Sequence, residues 1–270
     1  MKKEGILLAV VILFGAAGFA AAQDGELHGS FDLTYQGKFL WRGHDWFGDK
    51  SGIQPTLDLD LGGTGLGIQV MGHRANASGF EDWERWDYSL YYGSRLDSGE
   101  SYVTDWRVGW VYYNFPDAPR PGHPTTGVGA DWQELFASAS WPDICPFGTV
   151  PSYTIVHMWP SESETAAGAR DISGWAHIFA VGYDWTVSGI LPDTPEQTLH
   201  LSAETMYNDG MLVAGADHDW SHLLFGISTD FTLADNLSFT PGLYHQVTMD
   251  SSINDDKDET WLTLGVKCEF

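Results

Sequence analysis

The chain has 270 residues, 37 acidic against 13 basic side chains, a net charge of -24 and 13 tryptophans. That acidity excludes nucleic acid as a partner, because phosphate binding needs a basic surface. Aromatic and glycine richness with only 19% charged residues excludes a disordered tail and a coiled coil, and two cysteines cannot build a disulfide scaffold.

Residues 1–22 read as a secretory signal peptide. Lys2 and Lys3 precede an uncharged run from Gly5 to Ala22, which ends in the small residues Ala20-Ala21-Ala22. Its length also approaches that of a membrane anchor. Cleavage would leave one domain, 23–270, whose sequence holds no second run long enough for a spanning helix. The choice is then between a soluble exported protein and a membrane β-barrel.

The first mature segment alternates. Leu27, Gly29, Phe31, Leu33, Tyr35, Gly37, Phe39 and Trp41 occupy every second position, with mostly polar residues between them. Period two with one greasy and one wet face predicts a strand over 27–42. Ten further strands are predicted at 53–61, 66–74, 84–93, 102–115, 132–141, 152–159, 175–186, 198–207, 220–232 and 237–249. In the last segment, Leu262, Leu264, Val266, Cys268 and Phe270 share a face.

The predicted fold class is all-β: a membrane-spanning antiparallel up-and-down β-barrel of about 12 strands. About eleven residues at ~3.3 Å each, tilted ~45°, cover roughly the 25 Å height of an outer-membrane apolar band. Trp41, Trp86, Trp132, Trp159, Trp175, Trp220 and Trp261 fall near one set of strand ends. Tyr102, Trp106, Trp141, Tyr153, Trp185, Phe239 and Phe270 fall near the other. Such rings read as girdles at two lipid–water interfaces.

The chain resembles bacterial outer-membrane β-barrels in its signal peptide, its alternation and Phe270 as its final residue. More narrowly, residues 27–93 resemble the TorF-like family of porins. Ser30-Phe31-Asp32, Leu40-Trp41-Arg42-Gly43, Pro55, the Gly-rich hairpin at 62–67, Glu84 and Asp87-Tyr88 carry the likeness. The remaining strands match as generic barrel strands. The resemblance implies an outer-membrane location in a Gram-negative cell and a pore. The implied partners are outer-membrane lipid and the barrel-insertion machinery that recognises a final strand.

If the greasy faces meet lipid, the wet faces line a lumen. The candidate pore-lining residues are Asp32, Lys38, Arg42, Asp58, Asp60, Arg85, Asp87, Asp105, Arg107, Glu204, Lys267 and Glu269. Charges of both signs across a narrow pore select permeants; paired across strands, they fill the interior instead. Twelve strands lie between filled eight-stranded and open 16-stranded barrels, which predicts a narrow or partly plugged pore. Arg42-Gly43-His44-Asp45, at the outer end of the first strand, reads either as pore mouth or as a turn at Gly43 with Arg42 paired to a nearby acid.

No catalytic residue and no cofactor is expected. G-x-S-x-G, Walker and H-E-x-x-H patterns do not occur, and nothing in the sequence sets a hydroxyl beside His157, though Ser161 and Ser163 follow it. No metal site is expected. His218 and His222 share a strand face but lie roughly 13 Å apart along it. The run Asp250, Asp255, Asp256, Asp258 and Glu259 reads as a solvated loop with weak divalent affinity at most. Cys145 and Cys268 are expected to be free thiols. The leading function is a passive channel for small hydrophilic solutes or ions. The alternatives are a secreted β-sandwich binding carbohydrate through exposed aromatics and a non-conducting structural or adhesive barrel.

Overall fold

The computed structural model describes residues 28–118, 131–161, 173–189, 195–211 and 218–270. The predicted signal peptide lies outside them. Twelve strands form one sheet: β1 (His28–Gln36), β2 (Gly52–Asp60), β3 (Leu66–Ala75), β4 (Arg85–Leu96), β5 (Thr104–Asn114), β6 (Trp132–Ser140), β7 (Thr149–Pro160), β8 (Gly174–Ser188), β9 (Glu196–Asp209), β10 (Asp219–Thr229, continued by Phe231–Ala234), β11 (Leu237–Thr248) and β12 (Glu259–Glu269). Each pairs antiparallel with the next. β1 then closes on β12, with Leu33 opposite Val266 and Phe31 opposite Cys268. The sheet is a closed barrel, so no strand edge is left open. The β-sandwich alternative is thereby excluded. Cys145 and Cys268 are both unpaired.

The alternation decides which side chain faces which way. Phe31, Leu33, Phe225, Ile227, Leu262, Leu264 and Val266 stand exposed on the outer wall. Their sequence neighbours Asp32, Gly226, Thr263 and Gly265 face inward. One turn at the end where β1 begins, the near end, shows the local chemistry. Gly62 and Gly63 take left-handed φ values of 68° and 67°, open to glycine at no steric cost. The Gly63 N–H donates to Asp60 Oδ1 at 2.6 Å. Near-end connections are mostly short, and those at the opposite, far end are longer.

Three predictions need correction. β1 ends at Gln36, not at 42: the chain bends at Gly37-Lys38 and runs inward. Leu40, the single break in the alternation, marked the change. Trp41, Trp132 and Trp261 are not girdle residues. Trp132 and Trp261 are buried, and Trp41 packs against an interior cluster. Trp86, Trp175 and Trp220 stand exposed on the outer wall. The tenth strand is interrupted at Asp230, whose carboxylate accepts the Thr240 hydroxyl across the sheet.

Barrel width sets how much the interior must hold. Twelve strands spaced ~4.8 Å apart and tilted ~40° enclose a cylinder about 24 Å across between backbones. Inward side chains cover several ångströms on each side and leave a central gap. A sequence that buries that gap must supply another segment.

Candidate functional site: an inward-folded loop and the vestibule below it

Residues 37–51 supply that segment. Arg42 (φ 54°) and Gly43 (φ 87°) both adopt the left-handed region and reverse the chain, so that Leu40 pairs with Asp45 and Trp41 with His44. Gly43 has no room for a side chain: a Cβ there would meet the His222 ring at 2.9 Å. The Asp45 carboxylate then caps the next turn, accepting from the N–H groups of Phe47 (3.1 Å) and Asp49 (2.5 Å). Trp46 Nε1 donates to the Trp41 carbonyl at 3.0 Å. These bonds make the loop a compact unit.

The unit is fastened to strands around the barrel. Arg42 Nη2 lies 3.1 Å from Glu134 Oε2 on β6, and the Tyr113 hydroxyl on β5 donates to that same oxygen at 3.0 Å. Gln246 on β11 donates to the Gly43 carbonyl at 2.8 Å. Lys38 bridges Asp49, at 2.5 Å, and Glu259 on β12. Phe39 stacks on His73 of β3 at 4.4 Å between centroids.

Trp41 sits at the centre. The Arg85 guanidinium lies 4.0 Å from its ring centroid and that of Arg42 5.4 Å. Trp132 stacks beyond at 6.2 Å. Arg85 is 1% exposed and pairs with Asp87 at 2.9 Å. Among the described residues its Nη1 finds no hydrogen-bond acceptor, and the faces of Phe39, Trp41 and Tyr113 surround the cation instead. Cation–π contacts gain strength in such a desolvated place. A hydrogen-bonded row continues along the wall: Gln36 to Gln54 at 2.5 Å, Gln54 to His73 at 3.2 Å, and His73 to Asp87 at 2.8 Å.

The far half of the lumen is completed by apolar side chains. Val156 and Met158 on β7, Ala176 on β8 and Met206 on β9 are at most 1% exposed and pack with Trp41, Trp46 and Trp132. Loop and wall side chains pack together at this level. Burial pushes the His44 imidazole down and the Asp45 carboxyl up from their ordinary values. The hydrogen bond and charge of Lys38 hold the Asp49 carboxyl below its ordinary value.

Below this packed level the near half is hollow. A cavity of about 690 Å³ is lined by Asp60, Tyr91, Arg107, Ser138, Ser152 and Thr154, with Arg107, Ser138 and Thr154 on successive strands in direct register. A second hollow, about 340 Å³, shares Asp60 and reaches Asp58, Lys267 and Glu269. Tyr91 donates to Asp58 at 2.6 Å, while the Arg107 guanidinium lies 4.2 Å from the Tyr91 ring centroid. Small hydroxyl side chains on β6 and β7 leave this half wide.

The predicted lining residues divide between the two regions. Asp58, Asp60, Asp105, Arg107, Lys267 and Glu269 border the hollows. Asp32 is on the same inner face, in register with Lys267. Arg85 and Asp87 are buried under the loop. Lys38 and Arg42 belong to the loop itself. Glu204 lies at the junction, 4.0 Å from His222. Of the two readings of Arg42-Gly43-His44-Asp45, the turn at Gly43 is what forms, but the acid that Arg42 meets is 92 positions away. Glu134, Tyr113, His73 and Gln246 were not anticipated, and Glu259, expected in a solvated loop, is instead buried at the start of β12 against Lys38. Their signal was available: Glu134 and His73 are polar residues in phase with the inward faces of their strands.

Other candidates do not assemble. His218 pairs with Asp209 at 3.0 Å, and His222 Nδ1 contacts Ser221 Oγ at 2.7 Å, so the two imidazoles have separate partners. In the acidic run, Asp250 caps Ser252 and Asp258 caps Thr248. Among the described residues, one group of carboxylates gathers closely enough for a cation: Asp45, Asp49 and Glu259, within 4.8 Å of one another. The Lys38 ammonium already bonds two of them. His157 is stacked at 4.4 Å on Trp175, with its Nδ1 directed at the Gly174 carbonyl. Ser163 lies outside the described residues.

No family model and no curated protein matches the sequence, so the TorF-like likeness stands on its motifs within residues 27–93 alone. Among solved structures the chain is similar to an outer-membrane channel from Pseudomonas putida F1, with a TM-score of 0.51 and 12% identity over 92% of this chain and 98% of that one. It is also similar to the KdgM porin in complex with disordered oligogalacturonate, with a TM-score of 0.49 and 9% identity over 89% and 99%. At 12% identity, the property shared with the Pseudomonas putida F1 channel is the fold: a closed antiparallel β-barrel of the outer-membrane type.

Proposed function

We propose that this chain is an outer-membrane channel for small hydrophilic solutes or ions, held in a closed state with loop 37–51 as its gate. The outward faces suit a bilayer. They are apolar, their backbone groups are paired by closure, and Trp86, Trp175 and Trp220 stand at the far rim where an aromatic girdle belongs. Lipid is therefore the surrounding partner in this reading, and the barrel-insertion machinery the assembling one.

One observation carries the gate. The seal crosses the barrel on a single contiguous loop, and its strand contacts include two ion pairs and a hydrogen bond, Arg42–Glu134, Lys38–Glu259 and Gln246–Gly43. A loop tied at both ends can leave a lumen without unfolding the wall. The far-half apolar contacts favour a second reading, a permanently sealed structural barrel.

Reconstitution separates the two. Purified protein that stays folded in detergent and migrates differently on gels before and after boiling should give transient openings in planar bilayers, and solute entry into liposomes. Silence from both the wild type and Glu134→Gln would leave the sealed barrel. A product monodisperse in water without detergent would defeat the membrane assignment.

A further inference from the structure

The charges around the vestibule do not cancel. Resting on the channel reading above, we infer that the open path selects small hydrophilic cations over anions.

Among the described residues, three basic side chains face this half of the lumen; two are held by carboxylates, and Arg107, over a neutral ring, keeps its charge. Arg95 holds Asp105 through two bonds, at 2.5 and 2.6 Å. Lys267 holds Glu269 at 2.6 Å. Arg107 lies over the Tyr91 ring. The carboxylates of Asp32, Asp58 and Asp60 have neutral donors instead. Thr34 donates to Asp32 at 2.6 Å. Tyr91 and Gln69 donate to Asp58 at 2.6 and 2.7 Å. The Gly63 N–H donates to Asp60. Hydrogen bonds of this kind orient a carboxylate without neutralising its charge. Across the lumen, Asp184 and Asp230 flank one imidazole, His200, at 2.7 and 3.2 Å.

The consequence is electrostatic. Carboxylates without a basic partner, enclosed by a low-dielectric wall, concentrate cations and deplete anions along the axis. Ser138, Ser152 and Thr154, which line the same cavity, offer neutral hydroxyls that can replace part of a permeant's hydration shell. Specificity here is a field over the whole vestibule and needs no tight binding.

The test is the reversal potential of the full chain in a planar bilayer under a potassium chloride gradient, in wild type and in Glu134→Gln. We expect potassium to be favoured over chloride by about 10-fold. Asp32→Asn, Asp58→Asn and Asp60→Asn together should lower that ratio by roughly threefold. Lys267→Gln should raise it, and this opposite movement decides the matter if the triple variant does not fold. A ratio near one or below overturns the selectivity while leaving a channel. Absence of current in every variant overturns the channel reading and the selectivity together.

Discussion

Arg42 and Glu134 are 92 positions apart in the chain and 3.1 Å apart inside the barrel. Both are largely excluded from water, with side chains 13% and 4% exposed. The pair ties the tip of an inward loop to the middle of the wall. Removing one partner of a buried pair typically costs about 3–5 kcal/mol, because the other charge is stranded.

That cost falls on the closed state. Glu134→Gln should therefore raise the open-to-closed ratio by roughly two to three and a half orders of magnitude, since each ~1.4 kcal/mol is tenfold in an equilibrium. Single-channel recording would show it as longer openings at unchanged unit conductance. Combining Glu134→Gln with Arg42→Ala should give less than the sum of the two single effects, because the pair acts as a unit. Strict additivity would mean that the two side chains do not act through each other.

Trp41 should matter more than any tryptophan on the outer wall. Trp41→Ala removes a ring from between Arg85 and Arg42 and leaves a void, a loss of about 3–5 kcal/mol. The expected result is a channel open much of the time. Trp175→Ala, on the outer wall, should leave the open fraction unchanged.

Acid should act on the gate in two stages. Asp49 is hydrogen-bonded to Lys38, and its carboxyl is held below its ordinary value of 3.8. Its contribution to closure is fully present above that value and is lost as pH falls through the lowered one. Asp45 has the opposite sign, because burial raises its carboxyl. Its contribution is present below its ordinary value and is lost as pH rises through the raised one. In a His44→Gln background, where the buried imidazole no longer opposes Asp45, mean current should first fall and then rise on acidification, and Asp49→Asn should remove the final rise. A current that changes in one direction only would contradict this assignment.

The inside–outside partition of tryptophan is also measurable. Trp86, Trp175 and Trp220 are 42%, 44% and 38% exposed on the outer wall. In single-tryptophan variants, brominated lipid should quench each of them strongly. It should quench Trp41 and Trp132 little, as they face the interior.

Much of the barrel was legible because side-chain period two is a direct imprint of a wall with lipid on one side and water or protein on the other. Phe31, Leu33 and Val266 announce it without any tertiary information. The inward loop was not legible for the same reason. Phe39 and Trp41 continue the alternation of β1 in phase, yet they belong to a loop whose aromatic side chains fill the barrel. Only Leu40 and the Arg42-Gly43 reversal betray the change. Alternation records that a side chain is apolar every second residue; it does not say whether that side chain meets lipid or a packed interior. The Arg42–Glu134 pair was illegible because it depends on which strand lies across the lumen, and closure alone sets that. The lining charges near Asp58 and Lys267 were legible, being charged residues in phase with the wet face. The partners of Asp58, Tyr91 and Gln69, required the register.

The most direct measurement is the conductance of a barrel in which residues 38–50 are replaced by a short Gly-Ser linker. If loop 37–51 is the seal, this variant should fold, shift on gels when boiled, and conduct steadily, whereas the wild type opens only in bursts. A variant that folds and inserts but remains as closed as the wild type would contradict the account, and would assign the seal to the strand side chains themselves.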